Sequence, residues 1–384
     1  MDGRGDLRGG GRMERYGWAA CAAGALAFAA VAGPVPHRVW GVCAAVGYGL
    51  AALCASRAVA VLGAVAVPLA VLVVGGLGQS EVGVVERSGA LLLATGSPYA
   101  ADPATVADYN PYLPGMALFG LLPGDARWWM GLVFAGTLVA AVALLGSPER
   151  GGFASAQGAA ARSSAALLVG CPLVALPLAV GGVDLPVVGL LCLGLALAGQ
   201  GRSDWAGVAV GMACALKWTA WPALPVLLAL IVVRQGRREA IRYAGVAVAV
   251  AGAAVAPVAL ADPAGFSAHV IAFPLGLTTA VSPAASPLPG HLLAAHVPGG
   301  SVAAVALLAV AALLVSVSLA VRPPHSVRAA ADRLALGLGL AMALMPATRF
   351  GYLVYPLALW ALPRCLPARE SADRLASPVR REVA

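Results

Sequence analysis

Four charged residues stand out by type and place: Glu81, Asp184, Lys217 and Arg349. Lys217 is the single lysine of a chain that otherwise draws its positive charge from arginine, and it lies between two apolar stretches in Leu216-Lys217-Trp218. An isolated cation at such a boundary either snorkels to water or binds an anion such as a phosphate. Arg349, beside Thr348 in a short apolar turn, offers the same choice. Glu81 opens a segment of helical periodicity, where a carboxylate either complements the helix dipole or acts as a general base. Asp184 follows Gly181-Gly182, so turn chemistry and substrate binding both account for it.

The elements that must position these groups are membrane spans. Sixty per cent of the residues are hydrophobic and 11% are charged, with a mean hydropathy of +0.87. Apolar runs alternate with short charged segments, the pattern of a polytopic bilayer protein. The reading is an all-α transmembrane helical bundle of about twelve spans between residues 17 and 363. A basic N-terminus (1–16) precedes it and a polar tail (364–384) follows, both assigned to the cytoplasm. With that orientation, twenty basic residues fall inside and five outside, the expected sign of the bias. Residues 205–233 read either as one kinked helix or as a hairpin, and the charge bias favours the hairpin. Glu81, Asp184, Lys217 and Arg349 then share the extracytoplasmic face.

Two segments on that face, 79–127 and 261–300, are too long for tight turns, and long ordered loops commonly carry function. In the first, Val82, Val85, Gly89, Leu92 and Leu93 form one stripe at 100° per residue, which predicts an interfacial helix ended by Gly96 and Pro98. Glu86 is expected to pair with Arg87, and Asp102 and Asp108 to serve turns. The second loop holds His269, His291 and His296 without metal-ligand spacing, and His269 is assigned to substrate contact. The seven cysteines form no CxxC pair. Walker, GxGxxG, HExxH and GxSxG motifs are absent, which disfavours nucleotide-driven transport and serine hydrolysis. The pI near 9.4 follows from basic loops at an anionic leaflet, with no nucleic acid implied.

Several segments together resemble the glycosyltransferase family 87 type. These are Glu81 followed by Gly96-Ser97-Pro98-Tyr99, then Asn110-Pro111-Tyr112-Leu113-Pro114, then Gly182-Val183-Asp184-Leu185, then Lys217-Trp218 with Pro222, and finally Arg349 with Tyr352 through Trp360. The resemblance implies a GT-C-like membrane enzyme. It would take a sugar, often mannose, from a polyprenyl-phosphate donor and pass it with inversion to an envelope lipid or glycan acceptor. It further implies Glu81 as catalytic base and Asp184, Lys217, Arg349 and Tyr99 in substrate binding. Such relatives carry Asp where this chain has Glu81, whose side chain is one methylene longer. The resemblance establishes no cofactor, and a divalent cation at the donor phosphate is left open. The competing reading is a transporter or flippase of lipid-linked substrates without transfer chemistry.

Overall fold

The computed structural model of the chain describes residues 4–146, 156–280 and 282–364. Met1–Gly3 and the tail expected at 364–384, apart from Arg364, lie outside the described residues. Among the described residues the fold is all-helical, with one isolated β-bridge between Ala285 and Thr348 and no strand. The first long helices are α1 (Arg4–Val31), α2 (Val35–Cys54) and α3 (Arg57–Val74, with a π-turn at Leu62–Ala66). The first long loop contributes α4 (Ser80–Thr95) and a 3₁₀ segment, Pro114–Leu121. There follow α5 (Ala126–Gly146), α6 (Ala156–Gly170), α7 (Pro172–Val180), α8 (Leu185–Gly199), α9 (Ser203–Leu216), α10 (Ala223–Gln235) and α11 (Arg237–Ala261). After the second long loop, which contains α12 (Pro289–His296), come α13 (Gly300–Val321), α14 (Val327–Leu344) and α15 (Val354–Ala361).

Among the described residues, five helical segments are long and apolar enough to cross a bilayer: α3, α5, Trp218–Gln235 containing α10, α11 and α13. A sixth arises if the bent pair α6 and α7 is one span. Full-length apolar helices are therefore fewer than the twelve stretches read from the sequence. Part of the reason lies in α8, whose 15 residues reach about 22 Å at 1.5 Å each, short of a hydrocarbon core of roughly 30 Å. All its residues except Leu193 and Gly199 are buried, so protein, not lipid, surrounds it. The expected span 164–180 bends by 66° between α6 and α7. Pro172 disfavours the helical conformation at Cys171, which is extended with ψ 133°.

Residues 205–233 form the hairpin that the charge bias favoured. Ser203 Oγ donates to Gln235 Oε1 at 2.5 Å, joining the start of α9 to the end of α10. Lys217 therefore occupies the turn at the other end. The α7–α8 hairpin turns at Gly181–Asp184, and the Gln79 N–H donates to the Val180 carbonyl at 2.9 Å, bringing the start of α4 to that turn. The Leu113 N–H donates to the Leu216 carbonyl at 3.1 Å, tying the first long loop to the Lys217 turn.

Helix α4 buries Val82, Val84, Val85, Ser88 and Gly89 against the 3₁₀ segment, whereas Leu93 is 76% exposed. The expected stripe thus holds at 82, 85 and 89 but fails at Leu93. The closest approach explains the rotation, because a Cβ at Gly89 would stand 2.3 Å from the Gly120 carbonyl carbon. The helix ends at Gly96, φ +77°, in the left-handed cap that glycine adopts readily. Gly89→Ala is expected to cost about 1–3 kcal/mol through overpacking, read as a lower melting temperature in detergent. Gly83→Ala, whose Cβ meets nothing within 4 Å, should leave that temperature unchanged or raise it.

Candidate active site

Four chain segments deliver the charged residues to one end of the bundle. Asp184 stands at the N-cap position of α8, where a carboxylate would ordinarily accept from the first helical N–H groups. Here it makes no such cap. Its Oδ1 instead accepts from Lys217 Nζ at 2.5 Å and from the Tyr355 hydroxyl at 2.7 Å. Thr219 Oγ1 in turn donates to the Tyr355 hydroxyl at 2.8 Å. The backbone at Lys217 is extended (φ −158°, ψ 145°), which ends α9 and turns the side chain towards Asp184. Its ammonium lies 4.8 Å from the Tyr352 ring centroid and 5.6 Å from that of Tyr112, within cation–π range.

The second pair is Glu81 with Arg349, whose guanidinium donates to Glu81 Oε1. Ser80 Oγ donates to the other carboxylate oxygen at 3.2 Å. Arg349 is presented by a turn that the second long loop grips from both sides. The Thr348 N–H donates to the Ala284 carbonyl, and the Ser286 N–H donates back to the Thr348 carbonyl, each at 2.9 Å. The Phe350 N–H donates to Ser286 Oγ at 3.0 Å, and His291 Nδ1 contacts the Pro346 carbonyl at 2.9 Å. The two pairs share one electrostatic environment. Burial raises the pKa of the Tyr112 hydroxyl well above the usual phenol range, and the charges of Glu81 and Asp184 add to it.

Tyr99 and His269 lie together, but in a separate cluster between the two long loops. The Asn110 N–H donates to His269 Nδ1, and His269 Nε2 meets the Ala100 carbonyl, both at 2.9 Å. With both ring nitrogens engaged by backbone and no exposed surface, His269 pins the loops together. Burial lowers its pKa, which matches a neutral ring whose Nδ1 accepts. Tyr99 stacks on that ring at 5.3 Å, and its hydroxyl donates to the Tyr112 carbonyl at 3.1 Å. Both residues thereby hold Tyr112, whose ring faces Lys217.

The expected Glu86–Arg87 pair is also replaced. Glu86 Oε1 accepts from the Ala126 N–H at the start of α5, while Arg87 donates to the Ala107 carbonyl. Asp108 does serve a turn, its Oδ2 accepting from the Thr105 N–H at 2.7 Å and from the Thr105 hydroxyl at 2.9 Å.

Sequence reasoning assigned no task to Tyr352, Tyr355, Thr219, His37 or Arg127. Tyr352 and Tyr355 follow Arg349 at helical spacing, a signal available in the sequence. His37 contacts Gln79 at 3.1 Å and feels the charges of both Glu81 and Arg349. Arg127, 3% exposed, grips Asp125 and donates to the Leu77 carbonyl at 2.7 Å, just ahead of α4. Among the described residues no group of three or more His, Cys, Asp or Glu side chains is placed to hold a metal ion.

The arrangement combines a carboxylate able to accept a proton with two cations able to hold an anion, backed by tyrosine rings. Asp184 and Lys217 are mostly buried, with side chains 11% and 13% exposed. Breaking such a pair on one side is strongly destabilising, by about 3–5 kcal/mol. Asp184→Ala is accordingly expected to lower stability by that order, and Asp184→Ala combined with Lys217→Met to recover most of the loss in equilibrium unfolding in detergent.

The model of glycosyltransferase family 87 matches residues 109–356, well over half of the chain. The matched stretch contains Asp184, Lys217 and Arg349 and begins after Glu81 and Tyr99. No curated protein and no solved structure matches. Four distant segments that build an acid–cation cluster at one end of a helical membrane fold, together with this match, lead to one conclusion: the chain belongs to glycosyltransferase family 87.

Proposed function

We propose that this glycosyltransferase takes a sugar, mannose in the first instance, from a polyprenyl-phosphate donor and transfers it with inversion to a hydroxyl of an envelope lipid or glycan. The observation that carries the reading is the joining of Glu81–Arg349 and Asp184–Lys217 at one end of a membrane bundle. The donor's tail requires bilayer, which the apolar helices supply. Its phosphate requires cations, and Arg349 and Lys217 stand together there.

In the transfer step the acceptor oxygen forms a bond to the anomeric carbon on the face opposite the phosphate. The bond from that carbon to the phosphate oxygen breaks, and its electron pair leaves with the phosphate. The acceptor's proton passes to Glu81. Arg349 and Lys217 stabilise the charge growing on the departing oxygen, which a preorganised low-dielectric site does more effectively than water. Asp184 and Tyr355 hold Lys217 in place, and Tyr112 and Tyr352 wall the space beside it.

Chain direction supports an extracytoplasmic site in the plasma membrane, with both termini in the cytoplasm. Helices α3, α9, α10, α14 and α15 each have one terminus near the cluster. Their other termini carry or adjoin Arg57, Arg202, Arg234, Arg328 and Arg364, a basic surface of the kind that faces the cytoplasm.

In membranes containing the protein, Glu81→Gln is expected to reduce transfer of radiolabel from polyprenyl-phosphate-mannose by about 10²–10⁴-fold, with the protein inserted and accumulated at wild-type level. Glu81→Asp should keep part of the activity. Wild-type rates from Glu81→Gln would remove this residue as the base.

A further inference from the structure

The two ion pairs of the site are built differently, and the difference suggests what each does when substrate arrives. Asp184 and Lys217 are held from several directions: Asp184 by Lys217 and Tyr355, Tyr355 by Thr219, and Lys217 by the faces of Tyr112 and Tyr352. Arg349 and Glu81 have few ties. Among the described residues Glu81 is the one side chain to which Arg349 is bonded, and the arginine side chain is 30% exposed against 13% for Lys217. Among the described residues Glu81 accepts one further side-chain hydrogen bond, from the exposed Ser80 hydroxyl. One pair is locked and the other is free to exchange partners.

A further consequence follows from what Arg349 binds. Its fork of N–H donors fits a phosphate at least as well as a carboxylate, and a phosphate brings more acceptor oxygens and equal or greater charge. While Arg349 holds Glu81, one oxygen of the carboxylate is occupied by the guanidinium. Once Arg349 turns to a phosphate, that oxygen is open to the hydrogen of an incoming hydroxyl.

Resting on the transfer reading above, we infer that Glu81 occupies the donor phosphate's place on Arg349 in the empty site, so that phosphate binding displaces it and frees the base. The donor then binds before the acceptor is activated, and water in the donor-free site meets a masked carboxylate. The inference yields an outcome opposite to simple loss of a binding residue: removing the Glu81 charge tightens phosphate binding while it stops transfer.

The test is the affinity of purified protein in nanodiscs for a short-chain polyprenyl phosphate, with the matching polyprenol as the phosphate-free control. Glu81→Gln is expected to bind the phosphate about fivefold more tightly than wild type, the value of an ion pair of about 1 kcal/mol. Arg349→Gln should bind it more weakly, and Glu81→Gln should have no effect in the Arg349→Gln background. Glu86→Gln, which removes the same charge from the same helix without touching Arg349, should leave affinity unchanged. Melting temperatures of all variants establish that they are folded. Equal or weaker binding by Glu81→Gln, or tightening that persists without Arg349 or is matched by Glu86→Gln, overturns the exchange while leaving the donor reading standing. Wild type binding phosphate no better than polyprenol overturns the donor reading and the exchange with it.

Discussion

An ammonium group at the turn between two apolar helices imposes a condition on everything around it. Left unpaired within a span, such a charge costs roughly 2.5–3.5 kcal/mol on insertion scales. Lys217 meets the condition through Asp184, which belongs to the turn between α7 and α8 and is itself held by the Tyr355 hydroxyl of the closing helix. The pair thereby draws the α7–α8 turn, the α9–α10 turn and the start of α15 to one point. Because Asp184 is not spent on capping α8, its carboxylate remains available for that long-range contact. Stability and site geometry are therefore set by the same interaction.

Around this fixed centre, the two long loops act as braces. The second grips the Arg349 turn through an isolated bridge and a serine hydroxyl. The first is pinned by His269, Tyr99 and Asn110 and delivers Tyr112 to the face of Lys217. Glu81 enters on α4, whose close contact with the 3₁₀ segment depends on Gly89 and Gly120. The result is a site with two characters: a rigid acid–cation pair on helix ends and a looser pair whose members arrive from the loops.

Much of this plan was legible in the sequence. Hydropathy and the arginine bias fixed the direction of the hairpins, and direction alone sent Glu81, Asp184, Lys217 and Arg349 to one end. The pairing was not legible, because Glu81 and Arg349 are 268 residues apart and no local period encodes which partner packing will choose. Helix rotation was hidden for a similar reason. Leu93 fits the apolar stripe of α4 by angle, yet it is exposed while Val84 and Ser88, off the stripe, are buried. The backbone partners of His269 were not legible, because histidine in a proline-rich loop carries no sign of the groups that will fold over it. Among the described residues five or six apolar helical segments reach span length, and shorter apolar helices such as α8 lie inside the bundle, where hydropathy does not tell lipid from protein surroundings.

The account turns on a donor whose sugar is attached through phosphate to a lipid. The most direct measurement offers purified protein in nanodiscs, with envelope lipid extract as acceptor, radiolabelled mannose either as the polyprenyl-phosphate ester or as the nucleotide sugar. The account predicts that label enters product from the polyprenyl-phosphate donor and not from the nucleotide sugar. Transfer from the nucleotide sugar with none from the lipid-linked donor would contradict it.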